Sequence, residues 1–80
     1  MDVWYKSPIV NIVYESIREL SKEGEVPVSE EELLAYLKRM RIEVSAQDLS
    51  KILMILERHG YIHVSLSTKE DRLIRFLGEN

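Results

Sequence analysis

His59 and His63 are the side chains of this 80-residue chain best suited to acid–base or metal chemistry, because an imidazole titrates near neutrality and ligates metals through a ring nitrogen. The chain contains no cysteine, so two histidines supply at most part of a zinc site. Ser65 and Asp71 follow His63 closely in sequence. On a short hairpin, however, a Ser-His-Asp set has no concave, preorganised pocket in which to act. A histidine at a helix end, where imidazolium suits the dipole, and another on a strand are expected to serve structure. Glu30, Glu31 and Glu32 form the densest carboxylate run, and their simplest role is to offset the dipole at a helix start. The three glycines, Gly24, Gly60 and Gly78, fall at the ends of elements and build no phosphate-cradling loop. The absence of cysteine also removes disulfides and thiol catalysis, and it fits a reducing cytoplasm. The expectation is a non-enzymatic protein without metal or cofactor.

The elements that position these residues are legible from spacing. Ser7 and Pro8 suit a cap and first turn, and a helix is predicted over 8–22 with Gly24 soon after it. Its apolar residues, Ile9, Val10, Ile12, Val13, Tyr14, Ile17 and Leu20, cover an arc of roughly 200°, about twice what a one-sided helix needs. Either the arm of residues 1–7, with Trp4 and Tyr5, folds back over the excess, or two copies pair through Trp4, Tyr5, Val10 and Tyr14. Val26-Pro27-Val28 predicts a short edge strand at 26–28. Ser29 with Glu32 is a capping box opening a helix over 29–40. After a tight turn, Ser45 caps a third helix over 45–59 whose stripe is Leu49, Ile52, Leu53 and Leu56. Gly60 suits a left-handed C-cap, after which the period becomes strand-like in Ile62, Val64 and Leu66. Ser67 to Asp71 is a polar tip, and Leu73, Phe76 and Leu77 make the returning strand apolar, giving a hairpin over 61–77.

Helix, short strand, helix, tight turn, helix and hairpin, in that order over nearly the whole chain, resembles the winged helix-turn-helix superfamily. The resemblance implies one α+β, mainly helical domain over 1–80: three helices and a C-terminal β-hairpin wing. In DNA-binding members the third helix enters the major groove and the wing meets the backbone or minor groove. Carried onto this chain, that helix's solvent face is Gln47, Ser50, Lys51, Met54 and Arg58. Gln47 has the amide geometry to read adenine, Lys51 and Arg58 can meet guanine or phosphate, and Met54 can lie against a thymine methyl. Lys69 and Arg72 on the wing, with Arg39 and Arg41 beside the turn, would contact phosphates and set register.

Charge is divided along the chain. Residues 1–37 carry three cations against eight acids, a balance of −5, whereas residues 38–75 carry eight cations against five acids, a balance of +3. The basic excess coincides with the third helix and the wing. It favours duplex DNA as partner and a small transcriptional regulator as function, dimeric if the first helix pairs. Against this stand the net charge of −3, the acids Asp48, Glu57, Glu70 and Asp71 among the cations, and Met54 in the middle of the face. These favour the alternative, a winged-helix module that binds protein within a larger complex. No apolar run approaches the ~20 residues needed to cross a bilayer, so no membrane association is expected. Scarce Asn and Gln beside plentiful Glu, Lys and Arg is a thermophile-like composition.

Overall fold

The computed structural model describes residues 8–66 and 71–78. Helix α1 (Pro8–Leu20) is followed by strand β1 (Val28–Ser29), helices α2 (Glu30–Arg39) and α3 (Ala46–Arg58), and strands β2 (Ile62–Leu66) and β3 (Arg72–Phe76). The class is α+β and mainly helical, a winged-helix-like arrangement whose C-terminal hairpin is β2–β3. The sheet is antiparallel in the order β1-β3-β2, so the returning strand of the hairpin is central. No helix among the described residues is long and apolar enough to cross a membrane.

Local chemistry sets where each element begins and ends. Both predicted caps form: Ser29 Oγ accepts the Glu32 amide at 2.9 Å and Ser45 Oγ accepts the Asp48 amide at 3.0 Å. Ser29 also pairs with Leu73 of β3, so one residue ends β1 and starts α2. Against the expected 26–28 the strand begins two residues later and ends one later, because Pro27 has no amide to donate and Val26 remains exposed. Helix α1 stops at Leu20, short of residue 22, because Lys22 and Glu23 take positive φ. Buried Ser21 organises that turn: its hydroxyl donates to the Arg18 carbonyl at 3.2 Å and accepts the Gly24 amide at 3.1 Å. The Gly24 backbone (φ +100) also passes so close to β3 that an added Cβ would stand 3.0 Å from the Phe76 carbonyl oxygen.

The core is shared by all three helices and the sheet: Val13 and Ile17 from α1, Leu33 and Leu37 from α2, Leu49, Leu53 and Leu56 from α3, with Val28, Ile62 and Ile74 from the strands. Strand registry places Ile62 opposite Phe76, Val64 opposite Ile74 and Leu66 opposite Arg72, so these six share the helix-facing side of the hairpin. Ile74 and Phe76, not Leu73, are the buried residues of β3, and Leu77 stays exposed. The wide apolar arc of α1 is covered largely within the chain. Val10 and Tyr14 are only 3% and 4% exposed. Tyr14 stacks edge-on against Tyr61 with ring centroids 5.3 Å apart, and its ring lies 5.6 Å from that of Phe76. Tyr14 is thus packed against the base of the hairpin and Val10 is buried, so within a single copy neither presents the free surface that pairing through α1 was expected to use. Trp4 and Tyr5 lie outside the described residues.

Candidate nucleic-acid interface

The outward face of α3 is built by the same period that buries Leu49, Ile52, Leu53 and Leu56. Gln47, Lys51, Met54 and Arg58 all fall within roughly 40° of its centre and all are exposed. Ser45, as cap, leaves the first turn ordered beneath Gln47, and Asp48 sits in that turn where the dipole favours an acid. Lys51 and Arg58 enter no ion pair among the described residues, so both cations point to solvent.

Arg39 and Arg41 flank the turn between α2 and α3, both exposed. Arg41 occupies the left-handed region at φ 63, where its amide donates to the Lys38 carbonyl at 3.0 Å and the Ile42 amide donates to Leu37 at 2.9 Å. This Schellman-type closure ends α2 and projects Arg41 at the turn. Beside it lies an open groove floored by Leu34, Ala35, Ile42 and Val44 and edged by Lys38 and Arg41.

Two of the expected contact residues are engaged otherwise. The Arg72 guanidinium donates from Nε to Glu30 Oε1 at 3.1 Å and from Nη2 to Glu30 Oε2 at 2.9 Å, a two-pronged pair that spends its charge on a carboxylate. The same Nη2 donates to Ser50 Oγ. Where a phosphate contact was expected, Arg72 is engaged as a tie between β3, α2 and α3, and Ser50 faces the hairpin, half-buried, at the edge of the α3 face. Lys69 lies outside the described residues. The sequence pattern held a signal for this tie: Arg72, Ile74 and Phe76 alternate onto one face, so an arginine in phase with core residues points inward and needs a carboxylate. Its partners stand 42 and 22 residues away, beyond any local pattern.

Glu57 makes a second bridge to the hairpin. Its Oε2 accepts the Val64 amide at 3.2 Å and stands 3.7 Å from His63 Nδ1. An acid expected to repel phosphate is thus partly occupied by the edge strand β2. His59 caps the C-terminus of α3, with its ring 6.1 Å from that of Tyr61. No group of three or more metal-ligating side chains occurs among the described residues.

Exposed apolar residues complete the surface. Met54 is 59% exposed and Leu66, opposite Arg72 on β2, is 73% exposed. Arg72, the cross-strand partner of Leu66, reaches Ser50, one turn before Met54 on α3. Comparison with family models, with curated proteins and with solved structures finds no match to this chain.

Proposed function

We propose that this chain is a winged-helix protein that binds duplex DNA, as a small transcriptional regulator, through the outward face of α3 and the turn that precedes it. The observation that carries this reading is the exposed stripe of Gln47, Lys51, Met54 and Arg58, whose two cations form no ion pair with a carboxylate among the described residues. A 13-residue helix of about 20 Å suits the ~12 Å wide major groove. Gln47 and Met54 would face base edges. Lys51 and Arg58, with Arg39 and Arg41 at the turn, would bind phosphates or guanine.

The test is anisotropy of a labelled random-sequence duplex across a salt series. Four cationic contacts predict a log–log salt slope of about −3 to −4. Lys51→Glu combined with Arg58→Glu should abolish binding without changing the far-UV spectrum; retained affinity in that double variant overturns the reading.

A second reading, a protein-binding module, is favoured by one specific observation: Met54 on α3 and Leu66 on β2 both stand exposed, while Arg72, opposite Leu66, is already paired with Glu30. Absence of duplex binding even at low ionic strength would select it.

A further inference from the structure

The flank of α3 that faces the hairpin is held at two points. Ser50 and Glu57 lie roughly 60° and 80° to the same side of the helix's outward centre and about 10 Å apart along its axis. Ser50 Oγ accepts from Arg72 at the start of β3, and Glu57 Oε2 accepts the backbone amide of Val64 in β2. Two attachments separated by two helical turns fix an angle between helix and hairpin as well as a distance. The first is anchored in turn by Glu30, the first residue of α2, through the two-pronged guanidinium pair. The Glu30 side chain is only 16% exposed, so this pair is better shielded than the exposed Arg18–Glu15 pair on α1.

We infer that Arg72 is a positioning residue for the proposed interface: held by Glu30 and holding Ser50, it fixes α3 against the hairpin and α2 and so sets the angle at which the outward face of α3 meets a duplex. The inference rests on the DNA-binding reading for its purpose, while the latch itself is a property of the free protein. The bridge is specific to arginine. Nε and Nη2 span the two carboxylate oxygens while Nη2 also reaches the hydroxyl, an arrangement that a lysine's single nitrogen cannot reproduce.

Glu30→Gln gives a sign test. Considered as charge alone, removing an acid raises affinity for a polyanion, and it would do so further if Arg72 were freed to meet a phosphate. The latch requires the opposite: Glu30→Gln and Arg72→Met both weaken duplex binding several-fold. Simple loss of stability leaves the affinity unchanged at temperatures well below unfolding, where nearly every molecule is still folded. Residual dipolar couplings of the hairpin amides, measured without DNA in wild type and both variants, should show a changed orientation of the hairpin relative to α3. Glu30→Gln is near-isosteric, so it remains informative if Arg72→Met fails to fold.

Tighter binding with a steeper salt slope in Glu30→Gln overturns the latch in favour of a masked phosphate contact. Wild-type affinity in both variants also overturns it. If the wild type itself binds no duplex at low salt, the proposed function fails, and the couplings alone decide: an unchanged hairpin orientation in both variants overturns the latch.

Discussion

Arg41 shows how one residue can carry opposite demands. Its left-handed φ of 63 ends α2, and an L-residue with a Cβ pays about 1 kcal/mol to stay there. Glycine adopts that conformation freely, so Arg41→Gly should raise the urea midpoint by the equivalent of up to about 1 kcal/mol. If Arg41 meets a phosphate, the same substitution weakens duplex binding and flattens the salt slope by about one contact. A variant that is more stable yet binds less well would separate the two roles; equal affinity would remove Arg41 from the interface. Gly24 gives the converse case. Its φ of +100 and the 3.0 Å approach of a built Cβ to the Phe76 carbonyl predict that Gly24→Ala costs about 1–3 kcal/mol, read as a lower thermal midpoint.

At the scale of elements, the helices are legible in the sequence because their signals are local. Ser29 and Ser45 announce α2 and α3, and each hydroxyl receives the amide three residues on. Ser45→Ala should therefore cost about 1 kcal/mol in denaturant unfolding. Because Gln47 lies in the first turn of α3, fraying there should also weaken any duplex contact made by Gln47 more than one made by Arg58. Hydroxyl-radical footprinting of that turn, with unchanged protection at Arg58, would show the asymmetry.

The strands are less legible, for a physical reason. The returning run is apolar at Leu73, Ile74, Phe76 and Leu77, so hydrophobicity alone leaves the phase of β3 open. Phase is decided by pairing with β1 and β2, which turns Ile74 and Phe76 inward together with Arg72. That one choice buries Ile74, exposes Leu77, and converts Arg72 from an expected phosphate contact into the partner of Glu30. The outward stripe of α3 was readable because it is the complement of a buried stripe on the same helix. The tie at its flank was not, because it joins three elements distant in sequence.

For the molecule as a whole, the decisive region is the base of the hairpin, where α1 meets the end of the chain. Tyr14 contacts the rings of both Tyr61 and Phe76, and the Leu77 amide donates to the Tyr61 carbonyl at 2.9 Å, so the first helix and last strand close one core. Spacing alone made Tyr14 equally suited to pairing two copies, since an over-wide apolar arc does not say what covers it. The two roles predict different consequences of Tyr14→Ala. A dimer-interface residue, once removed, lowers the sedimenting mass and leaves the fold of each copy intact. A core residue leaves the mass unchanged and costs about 3–5 kcal/mol, as truncation of buried aromatics does. Because the core runs through all three helices and the sheet, that loss should appear as a single earlier transition, coincident by far-UV circular dichroism and by aromatic fluorescence. Loss of mass with an unaltered unfolding midpoint would return Tyr14 to the surface; a fall of several kcal/mol at constant mass places it where α1 and the hairpin hold each other.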